Sequence, residues 1–229
     1  MQINGLQKSS LIDYPSKIAA VVFTQGCNFR CGYCHNPALV QPNKLELKNE
    51  KEILEFLKSR VNKIDGVVIS GGEPTLQKDL PAFVKKVKEM GFAVKLDTNG
   101  TNPNMAEKLL EQQFIDYIAM DIKAPIEKYS LITNTKVNEV NILRSIGLVK
   151  QLADNGEFRT TVVKSRLGFD DFEKIGEMIE GASNYYLQKF LPDITLDPSF
   201  INETTYSDAE FITIKNNMKQ YVKNVVIRG

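Results

Sequence analysis

Short apolar runs alternate along the chain with longer segments whose apolar residues recur every three to four positions. The short runs have the length and composition of buried strands, whereas the longer segments have the spacing of amphipathic helices. The predicted strands are Ile18–Thr24, Val67–Ser70, Ala93–Asp97, Tyr117–Ile122, Thr160–Lys164 and Tyr185–Phe190. The predicted helices lie around residues 53–61, 80–90, 105–110, 143–152 and 172–179, and a last one runs from the cap Ser207 to about Tyr221.

Three glycines mark predicted helix ends. Gly91, Gly156 and Gly181 each follow a helical segment. A left-handed residue, usually glycine, commonly ends a helix at that position. We therefore expect left-handed backbone at all three.

The alternation of strands and helices predicts parallel strands joined by right-handed crossovers. About six strand–helix units fit the chain, fewer than the eight of a closed barrel. We therefore predict an α/β fold, an open (β/α)6 partial barrel, with a three-layer doubly wound sheet as the alternative. We expect a single domain, with an N-terminal segment 1–16, a core 17–191 and a C-terminal extension 192–229.

Composition narrows the class of protein. The 229 residues are 42% hydrophobic and 25% charged, which suits one globular domain with a full core. The 29 basic and 28 acidic side chains leave a net charge of +1, so neither nucleic acid nor an anionic membrane is an expected partner. No apolar run is long enough to span a bilayer, and the N-terminus has no signal-peptide pattern. We expect a cytoplasmic protein.

All three cysteines lie in the loop after the first predicted strand. The segment reads Cys27-Asn28-Phe29-Arg30-Cys31-Gly32-Tyr33-Cys34-His35. Zinc would need a fourth ligand, and His35, the only histidine, is adjacent to Cys34, where simultaneous chelation is awkward. Haem attachment or a redox pair at Cys31 and Cys34 would leave Cys27 unexplained. An iron–sulfur cluster with three cysteine ligands and one open iron uses all three.

Polar clusters also follow the next three predicted strands, where the carboxyl ends of parallel strands gather functional side chains. The clusters are Gly71-Gly72-Glu73-Pro74, Asp97-Thr98-Asn99-Gly100, and Asp121 with Lys123. Gly-Gly and proline form turns, but a plain turn does not require the carboxylate of Glu73, which is well suited to hold an ammonium group. The second cluster alone also fits a turn with a helix cap. Lys123 lies two residues after Asp121, on the same side of a strand, which favours a shared site.

The cysteine spacing together with the Gly71–Pro74 motif resembles the radical S-adenosylmethionine (SAM) superfamily. The resemblance implies that Cys27, Cys31 and Cys34 hold one [4Fe–4S] cluster, whose open iron binds SAM and whose electron cleaves it. It also implies a SAM pocket and a monovalent cation site. The expected pocket residues are Tyr33, Gly71, Gly72, Glu73, Asp97, Asn99 and Lys123, and the expected cation ligands are Asp97, Thr98 and Asp121. We expect His35 to pack beside the cluster and to tune its potential through a hydrogen bond.

Within the superfamily, the stretches Phe23–Pro37, Leu96–Gly100 and Met120–Lys123 are similar to motifs of enzymes that activate glycyl radical enzymes. Leu11-Ile12-Asp13-Tyr14-Pro15 and Val225–Gly229 most resemble activators of anaerobic ribonucleoside-triphosphate reductase. The chain lacks the Asp-Gly-Pro-Gly segment and the later histidine of pyruvate formate-lyase activators.

The resemblance implies a glycyl radical enzyme as partner, foremost that reductase, and an electron donor such as flavodoxin or ferredoxin. Two other enzyme functions stay open: a pyruvate formate-lyase-type activase, and a small-molecule enzyme similar to the carboxy-deazaguanine synthases. A non-catalytic electron carrier is the alternative from another class. Such a carrier would need neither Glu73 nor Asp97, so SAM binding separates it from the enzymes.

Overall fold

A computed structural model of the chain describes residues 1–40 and 46–229. The chain separates into two compact units. The first unit comprises Met1–Asn28, Ala38–Thr98 and Asn104–Ile118. The second unit comprises Phe29–Pro37, Asn99–Pro103 and Ala119–Gly229.

Four strands lie in the described part of the first unit. They are β1 (Ile3–Ser10), β2 (Ala19–Thr24), β3 (Gly66–Gly71) and β4 (Ala93–Thr98). β1 is antiparallel to β2, whereas β2, β3 and β4 are parallel. β2 begins with four consecutive buried residues, because an inner parallel strand is covered on both faces.

Four helices accompany these strands, two of which, α1 and α4, have their opening proline in the second unit. They are α1 (Pro37–Val40), α2 (Glu50–Ser59), α3 (Leu80–Glu89) and α4 (Pro103–Glu111). In α3 the buried residues Leu80, Phe83, Val84 and Val87 form the stripe expected of an amphipathic helix, and proline opens its first turn.

The second unit contains the remaining elements, and the division between the units falls within β5 (Tyr117–Asp121). Its strands are β6 (Gly156–Val162), β7 (Asn184–Lys189) and β8 (Asn224–Arg228), which are parallel to one another. Its helices are α5 (Tyr129–Thr133), α6 (Glu139–Gln151), α7 (Phe169–Met178) and α8 (Asp208–Met218).

The strands pair in chain order from β1 to β8. Over the described part of the chain this order ends at β1 and β8, so the sheet is open. A doubly wound sheet reverses its strand order at a switch point, and no reversal occurs in this order. The predicted open partial barrel is therefore confirmed, and the doubly wound alternative is wrong.

All six predicted strands are present, as β2 to β7. β6 begins at Gly156, four residues before the predicted start at Thr160. Left-handed backbone is confirmed at Gly91 and Gly181, but the prediction for Gly156 is wrong, because its backbone is extended. A Cβ at Gly156 would lie 2.5 Å from the carbonyl oxygen of Val149, so close approach to α6 explains this glycine.

The Ser207 cap of the last helix is confirmed. Ser207 Oγ accepts the N–H of Glu210 at 3.4 Å, and Glu210 accepts the N–H of Ser207 at 2.8 Å. The two bonds form a capping box, which satisfies two amide groups at the helix start. Among the described residues no helix has both the length and the apolar character needed to cross a membrane.

Candidate active site

The cysteine loop begins three residues after the end of β2. Cys27, Cys31 and Cys34 are all reduced thiols. Cys31 is buried, and its carbonyl oxygen accepts the N–H of Cys34 at 3.0 Å, so these two cysteines share one turn. Burial raises the pKa of the Cys31 thiol, and the nearby ammonium of Lys123 opposes that rise.

This donor set fits the cluster that the sequence predicts. Within the described ranges no three His, Cys, Asp or Glu side chains converge as ligands of a single metal ion do. A [4Fe–4S] cluster needs no such convergence, because its thiolates bind different irons. Soft thiolate ligands and a positive charge beside Cys31 suit an electron-rich iron–sulfur group.

Three charged side chains meet at the end of β5. Asp121 accepts from Lys123 Nζ at 3.0 Å and from Arg159 Nε, on β6, at 2.9 Å. Burial alone would raise the pKa of the Asp121 carboxyl, but Lys123 and Arg159 outweigh it and hold the pKa below its ordinary value. Burial would likewise lower the pKa of Lys123, but Asp121 outweighs it and holds the pKa well above its ordinary value. Both groups are therefore charged at neutral pH.

The Lys123 ammonium also faces the cysteine loop. It lies 6.0 Å from the centroid of the Tyr33 ring. The backbone N–H of Lys123 separately donates to the Tyr129 hydroxyl at 3.2 Å. Burial raises the pKa of the Tyr33 hydroxyl. The second unit thus brings Lys123 close to Asp121, as the sequence predicts, and also near Cys31 and Tyr33. The binding of SAM by these residues stays a prediction.

In the first unit, Glu73 is buried and caps the 3-10 turn Pro74–Leu76. Its Oε1 accepts from Thr75 N at 3.1 Å and from Thr75 Oγ1 at 2.5 Å. The same oxygen accepts from Thr98 Oγ1 at 2.8 Å. The turn therefore does use a carboxylate at position 73, which corrects the interpretation that a plain turn would not require one.

The two glycines before Glu73 are required by close packing on the end of β2. A Cβ at Gly71 would collide with the backbone of Thr24, and one at Gly72 would collide with the carbonyl of Gly26. Gly71 also has a φ of +113°, which favours glycine. The N–H of Glu73 donates to Gly26 O at 2.8 Å. This turn is therefore fixed to the residue that precedes Cys27.

Asp97 lies in a polar group that sequence analysis missed in part. Its carboxylate accepts from Lys95 Nζ at 2.8 Å and from Ser70 Oγ at 2.9 Å. Lys95 is buried and also donates to Asp13 O at 2.7 Å. The available signal was the spacing, since Lys95 and Asp97 are two residues apart and share one face of β4.

The remaining predicted site residues have clear places. Asn99 Oδ1 accepts from Thr101 N at 3.0 Å and from Thr101 Oγ1 at 2.7 Å. These bonds form a turn, which is the structural alternative that the sequence analysis gave for Asp97-Thr98-Asn99-Gly100. His35 is exposed, and its ring stacks on Phe190 with centroids 5.5 Å apart. The hydrogen bond from His35 to a cluster and the cation at Asp97, Thr98 and Asp121 stay predictions.

Comparison with known proteins defines the class. The family model of the radical SAM superfamily matches residues 21–179. In fold, the chain is similar to Streptococcus suis SuiB bound to S-adenosylmethionine, with a TM-score of 0.65, 14% identity and 90% of this chain covered. The chain spans 48% of that protein. The chain is therefore a radical SAM enzyme, a class whose members use a [4Fe–4S] cluster and SAM.

Relatives in sequence define the family within that class. A Methanocaldococcus jannaschii protein with the provisional name of glycyl-radical enzyme activating enzyme is 36% identical over 99% of this chain and 95% of its own length. The pyruvate formate-lyase-activating enzyme of Clostridium pasteurianum is 30% identical over 85% of this chain and 70% of its own. The chain belongs to the glycyl-radical enzyme activating enzymes, and this membership implies a glycyl radical enzyme as partner.

Proposed function

We propose that the chain binds a [4Fe–4S] cluster through Cys27, Cys31 and Cys34 and abstracts a hydrogen atom from a glycine of anaerobic ribonucleoside-triphosphate reductase. The cluster, when bound, supplies the electron that cleaves SAM reductively. Lys123, held protonated by Asp121, is the cation available to the carboxylate of SAM. Glu73 supplies the negative charge for its amino group.

The choice of partner is carried by the segment Asp13-Tyr14-Pro15, where pyruvate formate-lyase activators usually have Asp-Gly-Pro-Gly. The Tyr14 ring is buried and lies 5.8 Å from that of Tyr117, and Lys95 binds the carbonyl of Asp13. Tyr14 is thus part of the core of the first unit. The difference from the Asp-Gly-Pro-Gly segment is therefore a difference in core packing and not an exchange of exposed residues. The similarity to the Clostridium pasteurianum enzyme supports a pyruvate formate-lyase-type activase as the second candidate.

Glycyl radical formation is the test of the partner. We expect reduced protein and SAM to generate a stable glycyl radical on the anaerobic reductase, because removal of a hydrogen atom from the glycine leaves an unpaired electron on its Cα. Electron paramagnetic resonance of the mixture measures the radical, and a reductase with its C-terminal glycine replaced by alanine is the control.

Pyruvate formate-lyase is assayed in parallel under the same conditions. A radical on that enzyme alone would establish the second candidate. Two results would contradict the proposal that the chain abstracts hydrogen from a glycine of a partner protein. One is a radical signal that persists in the alanine control. The other is conversion of a small molecule with no radical on either protein.

Glu73→Gln separates the two roles of Glu73. The amide oxygen of glutamine can still accept from Thr75 and Thr98, so we expect the free energy of unfolding to fall by about 1 kcal/mol at most. The lost charge should weaken SAM binding about tenfold or more. Calorimetric titration with SAM measures the affinity, and Glu55→Gln, an exposed residue of α2, controls for net charge. Unchanged SAM affinity in Glu73→Gln would leave Glu73 with the capping role alone.

A further inference from the structure

The segment Asp197–Tyr206, which we call the C-terminal strap, packs on the cysteine loop within the second unit. The N–H of Asp197 donates to the carbonyl of Gly32 at 3.0 Å. The strap then forms the 3-10 turn Pro198–Asn202, capped by the Asp197 side chain, which accepts from Ser199 N at 2.9 Å. The strap is therefore ordered where it meets the loop between Cys31 and Cys34.

The far end of the strap is bound to the last residue of β6 and to the chain that follows it. Lys164 N donates to Thr204 O at 2.9 Å, and Thr205 Oγ1 donates to Val162 O at 2.7 Å. Tyr206 donates its buried hydroxyl to Leu167 O at 2.8 Å. With both ends bound, the strap has a fixed position on the loop.

Phe200 is the side chain through which the strap meets the loop. Its ring is 5% exposed. A Cβ on Gly32 would collide with Cε2 of the ring and lie 2.8 Å from Cζ. The φ of Gly32 is not positive, so space for Phe200, and not backbone conformation, explains this glycine.

The ring of Phe200 also belongs to an aromatic group around the loop. Its centroid lies 6.2 Å from that of Tyr33 and 6.3 Å from that of Phe190, on which His35 stacks. The guanidinium of Arg166 covers the ring at 4.9 Å. Phe200 thus contacts Tyr33, which precedes Cys34, and also Phe190, which in turn contacts His35 on the other side of Cys34.

We propose that Phe200 is a positioning residue that shields the cluster from solvent and thereby lowers its reduction potential and slows its loss in air. This inference rests on the proposed function, in which Cys31 and Cys34 are cluster ligands. An apolar shell controls solvent access and dielectric, and hence potential. Reduction adds negative charge to a group that already carries thiolates, so water stabilises the reduced state and raises the potential.

The matched variants are Phe200→Ala and Ile201→Ala. Ile201 lies in the same 3-10 turn but is 54% exposed, so its truncation opens nothing. In the cluster-free chain we expect Phe200→Ala to raise the rate of alkylation of Cys31 by iodoacetamide about tenfold. Phe200 packs on Gly32, the residue next to Cys31, so its truncation opens the loop to solvent there. In the reconstituted protein the midpoint potential should rise and bleaching in air should accelerate. Ile201→Ala should match wild type in all three measurements.

Conservative and compensating variants keep the test informative if Phe200→Ala folds poorly. Phe200→Leu should restore most of the shielding. Gly32→Ala should lose iron, and Gly32→Ala/Phe200→Ala should regain it, because the second substitution removes the collision.

Equal Cys31 alkylation in Phe200→Ala and Ile201→Ala, or an unchanged potential despite faster alkylation, would overturn the inference. A wild-type chain that binds no iron would contradict the proposed function instead. The alkylation rates would in that case still report on the packing of Phe200.

Discussion

Alanine at Cys27, Cys31 or Cys34 is expected to abolish SAM cleavage. The chain has no other cysteine, so each substitution removes one of the three thiolates available to hold iron. Anaerobically reconstituted wild type should bind about four irons per chain, and each variant should lose the cluster or hold it too loosely to react. Iron analysis measures the iron content, and visible absorption measures the cluster. Chromatography of the reaction products measures SAM cleavage.

His35→Ala is the matched control for these variants. His35 is adjacent to Cys34 but exposed, and its ring contact is with Phe190. If three cysteines bind a cluster, His35→Ala should retain its iron. If the loop instead binds zinc through three cysteines and His35, reconstitution should give stoichiometric zinc without iron, and His35→Ala should lose it. That result would contradict the cluster.

The strands β2, β3 and β5 could be predicted from the sequence because each is mainly a short run of apolar residues. The start of β6 was missed because Glu157 and Arg159 interrupt its apolar pattern. β1 and β8, at the ends of the strand order, were missed as strands for a physical reason. Residues Gln7, Lys8 and Ser9 of β1 are exposed, so the strand carries little of the apolar pattern on which the prediction depends. β8 is short, and Asn224 and Val226 are exposed.

The candidate site was predictable where spacing along the chain carries the information. Asp121 is the last residue of β5, and Lys123 pairs with it from a position two residues further along the chain. The capping role of Glu73 depends partly on Thr98, and the role of Gly32 depends on Phe200. These partners are distant in sequence and are brought near by the fold, so no local pattern could reveal them.

The second large effect is expected at Lys95. Its side chain is 2% exposed and that of its partner Asp97 is 13% exposed. Lys95→Met would leave the Asp97 carboxylate without its ammonium partner and would remove the bond to Asp13 O. Breaking a buried pair from one side costs about 3–5 kcal/mol. The Asp97 carboxylate would lose its ammonium partner, although it keeps other bonds such as the one from Ser70 Oγ. Urea denaturation measures the loss in the free energy of unfolding.

Lys88→Met is the control for this variant, since the Lys88–Asp116 pair has the same 2.8 Å separation but is 26% and 41% exposed. An exposed pair contributes about 0–1 kcal/mol, so Lys88→Met should have little effect. In the double variant Lys95→Met/Asp97→Asn neither buried charge remains, and part of the lost stability should return as a coupling energy.

Equal losses from Lys95→Met and Lys88→Met would show that burial of the Lys95–Asp97 pair does not stabilise the first unit. Stability recovered in the double variant without recovery of SAM binding would instead separate the structural role of Asp97 from its predicted place in the SAM pocket.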